Sequence, residues 1–110
     1  MKIYAWNSQG LANSETLRTL KKALRESKPD MAFISETKTN ANQIMNTIRY
    51  IEYENYFYVP PIGIAGGLLL VWNSPIDINI LYHNKHIIHT KIINKNGMGM
   101  WNASFYYGSP

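Results

Sequence analysis

The sequence contains no cysteine, and charged residues make up only 16% of its 110 positions. Without thiols the chain has neither disulfide bridges nor thiolate ligands for a metal. Its longest apolar run, Gly66 to Trp72, is far too short to cross a bilayer. The residues after Met1 soon turn polar, unlike the apolar core of a secretory leader. We therefore expect an intracellular protein, in the nucleus or cytoplasm, that does not contact membranes.

The apolar content is high enough for a packed core. Hydrophobic residues form 45% of the chain and aromatic residues 13%, which excludes an intrinsically disordered segment. With 110 residues the chain makes at most one small domain. The net charge is +4 and the pI about 9.4, a balance that favours polyanionic partners, nucleic acid first among them. A solvated basic face is the alternative interpretation.

The first half of the chain has the pattern of alternating strands and helices. Lys2–Trp6 is a predicted strand, and leucines at helical spacing follow it, with Asn13 or Ser14 as the helix cap. Met31–Ser35 is a second, apolar strand, and Asn40–Tyr50 is a second helix. A strand, helix and strand in succession favour a parallel pair of strands.

The second half is predicted to contain only strands. They are placed at Tyr56–Val59, Gly67–Trp72, Ile76–Tyr82, Ile87–Ile93 and Met100–Tyr107, the last four separated by turn sequences. The fold class is therefore α/β (α+β), with a mixed sheet and helices on one face. Four consecutive apolar residues, Leu68 to Val71, indicate a strand buried on both faces. We expect nothing in this chain to cover the second face, which would favour self-association.

Three polar side chains lie at or just after the ends of predicted strands: Asn7, Glu36 and Tyr107. A carboxylate at a sheet edge can hold Mg²⁺, an amide can orient a phosphate oxygen, and a phenol can donate a hydrogen bond to it. The parallel pair should bring Asn7 and Glu36 to the same edge. Each residue also has a simpler interpretation, as a turn residue for Asn7 and Glu36 and as a half-buried strand aromatic for Tyr107.

Other groups of candidate residues give weaker signals. His83, His86 and His89 are close in sequence, but in an extended segment His86 and His89 point to opposite faces, while His83 and His89 share one. No cysteine or nearby carboxylate completes a site, which disfavours a shared metal. Lys38 and the helix residues Arg18 and Lys22 are candidate contacts for a nucleic-acid backbone. The alternative for the helix is the ordinary solvated face of an amphipathic segment.

Taken together, these segments resemble the endonuclease/exonuclease/phosphatase family, which has the DNase-I-like fold. The likeness is greatest to the endonuclease domain of plant LINE-type (non-LTR) retrotransposons. The matching residues are Lys2-Ile3 through Trp6-Asn7 with Gly10-Leu11, Lys28-Pro29-Asp30 leading to Ser35-Glu36-Thr37-Lys38, Gly66-Gly67-Leu68 with Trp72, and Phe105 to Pro110.

The resemblance implies a four-layer α/β sandwich, of which residues 1–110 are the N-terminal half, and DNA as the partner of the full-length parent. It also implies phosphodiester hydrolysis that depends on Mg²⁺, or on Mn²⁺ in its place. Asn7 and Tyr107 would be catalytic residues at the scissile phosphate, with Asn7 in the metal shell as well. Glu36 would be the metal-binding carboxylate.

The chain departs from the family pattern in two ways. Ser8 and Gln9 stand where the plant proteins usually have Cys and Arg. The family's later motifs have no match after Tyr107: an Asp-x-Asn pair, a further Asp and a closing Ser-Asp-His that contains the general base. We therefore expect a partial domain that does not turn over alone. The alternatives are a non-enzymatic retroelement remnant that binds nucleic acid weakly by charge, and a phosphatase of the same family.

Overall fold

A computed structural model of the protein describes residues 1–63, 65–97 and 99–108. Two helices and seven strands follow one another in the order β1 (Ile3–Asn7), α1 (Ser14–Ser27), β2 (Met31–Ser35), α2 (Ala41–Ile51), β3 (Asn55–Val59), β4 (Leu68–Trp72), β5 (Ile76–His83), β6 (Ile87–Asn94) and β7 (Gly99–Tyr106). The predicted elements are thus all present, with ends that differ by a residue or two. Of the C-terminal motif Phe105 to Pro110, Ser109 and Pro110 lie outside the described residues.

The first sheet has the strand order β1-β2-β4-β3. β1 and β2 are parallel, as predicted, and Asn7 pairs with Ser35 at the end of both strands. β4 runs antiparallel to both of its neighbours, so the sheet is mixed. The amide oxygen of Asn13 caps α1 by accepting from the N–H groups of Glu15 and Thr16. This helix returns the chain to the start of β2, which makes the parallel pairing obligatory.

The second sheet is a separate antiparallel meander of β5, β6 and β7. Its strands are joined by tight turns, so each pairs with its sequence neighbour over most of its length. The turn between β4 and β5 differs from the other two, because it carries the chain from one sheet to the other rather than closing a hairpin. A sequence of turn residues indicates a change of direction but not whether the next strand pairs with the last.

The two sheets pack face to face, and the two helices cover the outer face of the first sheet. Ala32 and Ile34 of β2 contact the helices, as do alternate residues of β4. Met31 and Phe33 point the other way, into a core shared with the second sheet. The apolar run of β4 is buried on both faces as predicted, with every residue of the strand below 9% exposure.

The expectation that nothing in the chain covers the second face of this sheet was wrong. Ile78, Ile88 and Ile92 of the second sheet pack against it and exclude water. The exposed sheet surface is instead the outer face of the β5-β6-β7 meander, where Tyr82 and Tyr106 are accessible. Within the described residues, neither helix has the length and apolar character needed to cross a membrane.

Candidate active site

The loops that follow β1 and β2 continue side by side beyond the ends of their strands. The N–H of Ser8 donates to the carbonyl of Ser35 at 3.0 Å, and that of Gly10 donates to the carbonyl of Glu36 at 2.8 Å. The N–H of Leu11 then donates to the carbonyl of Thr37, also at 2.8 Å. The segments that carry Asn7 and Glu36 are therefore held together by backbone hydrogen bonds.

Ser8 ties the two loops together with its side chain as well. Its hydroxyl is 3.0 Å from the carbonyl oxygens of both Ser35 and Glu36, and the residue is only 5% exposed. This role of Ser8 was not predicted from the sequence, where the residue stands out only because the plant proteins usually have cysteine there. A small residue with a hydroxyl directly after a strand was the available signal, because such residues bond to nearby backbone groups.

The entry to β4 holds the Glu36 segment from its other side. The N–H groups of Thr37 and Lys38 donate to the carbonyls of Gly67 and Gly66, at 3.2 and 3.0 Å. Gly67 has a φ of +95°, and a Cβ atom there would overlap the Thr37 hydroxyl oxygen. Glu36 itself has a φ of +51°. Such a backbone is uncommon for a residue other than glycine, and persists only where the surroundings determine it.

Tyr107 joins this site from the second sheet, one residue beyond the end of β7. A hydrogen bond from the phenol to the Glu36 carboxylate is the main reason that the pKa of Tyr107 is raised above its ordinary value, followed by burial and by the Glu36 charge. A hydrogen bond with Asn7 acts in the opposite direction. Opposite effects of this kind are expected of a phenol that lies between a carboxylate, to which it can donate, and an amide, from which it can accept.

Asn7 is itself anchored. Its side-chain oxygen accepts from the N–H of Gln9 at 3.3 Å, which leaves its amide N–H groups to face the phenol of Tyr107. The turn role considered for Asn7 is therefore observed, and its catalytic role stays a prediction. The structure thus brings Asn7, Glu36 and Tyr107 together, although they are supplied by three strands of two sheets.

A cleft of about 320 Å³ opens beside this cluster. It is lined by Glu36 and Tyr107, by Lys85 and His86 of the turn between β5 and β6, and by Pro60, Ile62, Ala65, Gly66 and Gly67 of the loop before β4. Lys85 and His86 were not predicted as site residues, because nothing near them in sequence belongs to the site. A larger depression, of about 460 Å³, lies between α1, α2 and the start of β2 and contains none of the three clustered residues.

The three histidines do not converge. The ring of His83 lies edge-on to Phe57 with centroids 5.0 Å apart, and His89 lies on the outer sheet face with its Nδ1 2.6 Å from the Ser104 hydroxyl. Across the residues that the structure describes, no group of three or more His, Cys, Asp or Glu side chains is arranged to hold a metal ion. Among the described residues that line the cleft, Glu36 is the one carboxylate, and Asn7 lies beside it at the same edge of the first sheet.

The basic residues are divided between two places. Lys38 is exposed and lies two residues from Glu36, at the same sheet edge. Arg18 and Lys22 are exposed on α1, outside the first sheet, and the Lys22 ammonium is 4.0 Å from the Glu26 carboxylate. Of the predicted nucleic-acid contacts, the structure therefore places only Lys38 beside the cluster.

The sequence profile of the endonuclease/exonuclease/phosphatase family matches residues 4–103. The chain therefore belongs to that family, and the mixed α/β architecture agrees with it. No sequence among the curated proteins matches this chain at a significant level.

Solved structures of nucleases and related phosphodiesterases share this fold. The AP endonuclease LMAP of Leishmania major is 17% identical, with a TM-score of 0.62 over 96% of this chain and 39% of its own. D. rerio TDP2, complexed with a single-strand DNA product, is 18% identical, with a TM-score of 0.61 over 94% of this chain and 45% of the TDP2 chain. An AP endonuclease from Archaeoglobus fulgidus is 22% identical, with a TM-score of 0.60 over 86% of this chain and 38% of the endonuclease chain. The chain thus spans less than half the length of these structures.

Proposed function

We propose that this chain supplies the first half of a divalent-metal-dependent phosphodiesterase site that cleaves DNA. The observation that carries the proposal is that Asn7 and Glu36 lie at one edge of the first sheet, while Tyr107 from the second sheet lines the same open cleft as Glu36. DNA as the substrate is supported by the net charge of +4 and by relatives of this fold whose structures hold DNA products. Origin from a plant LINE-type retroelement is proposed on the sequence motifs alone.

Glu36 and Asn7 suit Mg²⁺, or Mn²⁺ in its place. Both offer oxygen donors, and Mg²⁺ is usually held by one or two carboxylates, with water and substrate phosphate completing its shell. Glu36 would hold the ion directly, and Asn7 would support it or a phosphate oxygen. When bound, the ion supplies positive charge to a phosphoryl oxygen. The cleft beside Glu36 leaves room for a phosphate group.

Tyr107 is proposed to act as a hydrogen-bond donor to the scissile phosphate. A tyrosine phenol is protonated at neutral pH, and the raised pKa of Tyr107 keeps it in this donating form to a higher pH than usual. The negative charge on a non-bridging phosphate oxygen grows in the transition state, so a donor placed there lowers the barrier. Asn7, by donating to the phenol oxygen, would fix the direction in which the phenol points.

Turnover is proposed to need residues outside this chain. Hydrolysis requires a base for the attacking water and a fully held metal, and the described residues offer Glu36 as the one carboxylate of the site. We propose that the remainder of a DNase-I-like domain supplies these groups. The chain is then an N-terminal half, inactive by itself.

Binding of the metal can be tested without turnover. Mn²⁺ broadens the NMR signals of nearby nuclei, so stepwise addition should first broaden the side-chain amide signals of Asn7. The Glu36→Gln variant should abolish this effect. A matched control is Glu26→Gln, which removes an exposed carboxylate on α1 and should leave the broadening unchanged. Equal broadening of Asn7 in the Glu36 variant would refute the metal assignment.

Cleavage is tested by nicking of supercoiled plasmid with Mg²⁺, comparing the chain with its Glu36→Gln variant. We expect no nicking by either protein, because the base and the further metal ligands are proposed to lie outside this chain. Nicking by the chain that is lost in the variant would support the site and overturn the proposed incompleteness. In a longer protein that contains the remaining motifs, Glu36→Gln should abolish nicking.

A second candidate is electrostatic binding of nucleic acid without cleavage, as in a retroelement remnant. Exposed Lys38 at the site edge favours it, with Arg18 and Lys22 as further contacts. If all three contact phosphates of duplex DNA, log K should fall with log salt with a slope of about −2.7. Lys38→Gln should make the slope shallower by about 1. Lys95→Gln, in the β6–β7 turn, is the control, and salt-independent binding would exclude this candidate.

A further inference from the structure

Tyr107 lies just outside the strand that presents it. The paired register of β6 and β7 ends at Ile87 and Tyr106, so the ladder itself does not hold Tyr107. Its backbone is nevertheless fixed, because its N–H donates to the carbonyl oxygen of His86 at 2.7 Å. A second contact joins the same two residues, since Nδ1 of the His86 ring is 3.1 Å from the carbonyl oxygen of Tyr107.

The second contact defines the chemical state of the His86 ring. A carbonyl oxygen only accepts hydrogen bonds, so Nδ1 must carry the hydrogen. His86 therefore accepts from Tyr107 with its backbone and donates to Tyr107 with its side chain. Both backbone polar groups of Tyr107 are engaged by this one residue.

The turn before His86 and the glycine after Tyr107 both favour the contact between these two residues. The N–H groups of His86 and Ile87 donate to the Asn84 side-chain oxygen at 2.8 and 3.0 Å, which fixes the turn that carries the histidine. After Tyr107 comes Gly108, whose φ is +77° and where a Cβ atom would lie 3.2 Å from the His86 Nδ1. Glycine at this position therefore lets the imidazole approach the chain closely.

We propose that His86 is the positioning residue for Tyr107: by holding both sides of its backbone, His86 sets the phenol against Glu36 and Asn7. That this positioning matters for catalysis rests on the function proposed above. That His86 positions the Tyr107 ring does not depend on that function. A residue that only stabilised the β5–β6 turn would have no effect on where the Tyr107 ring lies. The two roles therefore predict different results when the imidazole is changed.

The first measurement is the tautomer of His86 in the whole chain, from the ¹⁵N chemical shifts of its ring at a pH where it is neutral. We expect hydrogen on Nδ1 and none on Nε2. Hydrogen on Nε2 alone would overturn the proposal, because Nδ1 would then have no proton to donate to Tyr107. This measurement needs no variant and no metal.

The second measurement is the nuclear Overhauser effect between the Tyr107 ring and the side-chain amide of Asn7. His86→Ala should abolish it, and His86→Asn should restore it, because the asparagine amide can place an N–H near the position of Nδ1. His89→Ala removes the neighbouring histidine that bonds to Ser104 and should change nothing. Persistence of the effect in His86→Ala, with a folded spectrum, would overturn the proposal.

The proposal can still be tested if the His86→Ala variant does not fold. If His86→Ala does not fold, His86→Asn is compared with His86→Gln, whose longer side chain displaces the amide. We expect the contact only in the asparagine variant, and its presence in both would overturn the proposal. Failure of Mn²⁺ to broaden Asn7 would refute the proposed function while leaving these outcomes interpretable.

Discussion

Replacing Gly67 with alanine is expected to destabilise the protein through two separate costs. The first is backbone strain, because Gly67 has a φ of +95° and a left-handed backbone costs an L-residue about 1–2 kcal/mol. The second is overlap, because the added Cβ would collide with the Thr37 hydroxyl oxygen and meet the N of Lys38 at 3.4 Å. Overpacking of this kind costs about 1–3 kcal/mol.

Gly66 provides a matched control for this prediction. Its φ of +86° is close to that of Gly67, but a Cβ atom there has no heavy atom within 4 Å among the described residues. Gly66→Ala should therefore show the strain alone, at about 1–2 kcal/mol. The difference between the two variants isolates the overlap with Thr37.

Urea denaturation followed by circular dichroism measures both variants. At an m value of about 1.5 kcal/mol/M, the midpoint of Gly67→Ala should lie about 0.7–2 M below that of Gly66→Ala. Equal midpoints would refute the reasoning, since Thr37 would then have to move away at no cost. The site should respond as well, because the carbonyls of Gly66 and Gly67 hold the segment around Glu36.

Three further outcomes are expected. In Glu36→Gln the pKa of Tyr107, followed by NMR, should fall towards its ordinary value, because the charged acceptor that raises it is lost. Because the pKa of Tyr107 is higher in the folded than in the unfolded protein, the phenol contributes its full stability below the unfolded pKa. This contribution is lost as the pH rises through the folded pKa. Urea denaturation at increasing alkaline pH should therefore show the loss in the wild type and not in Tyr107→Phe. Leu70→Ala, in the core between the sheets, should cost about 2–5 kcal/mol in urea denaturation, and a loss below 1 kcal/mol would contradict the packing. Asn13→Ala should cost about 1 kcal/mol by the same assay, because it removes the cap of α1, and an unchanged midpoint would show that the cap contributes nothing.

Much of the fold could be predicted from the sequence because its signals are local. Periodic apolar residues indicated both helices, short β-branched and aromatic runs indicated the strands, and Asn, Gly and Pro marked the turns. The parallel pairing of β1 and β2 followed from the helix between them, and with it the common edge of Asn7 and Glu36. The resemblance to a known family placed Tyr107 in the same site.

The remaining features were decided only by the tertiary structure. The apolar run of β4 showed that both faces are buried, but no local pattern could show that Ile88 and Ile92, some twenty residues later, cover one of them. The contacts of Ser8 with the Glu36 carbonyl and of His86 with Tyr107 also join residues distant in sequence. A sequence records which side chains avoid water and which can bond, whereas the partner of each is set by how the strands pair and the sheets stack.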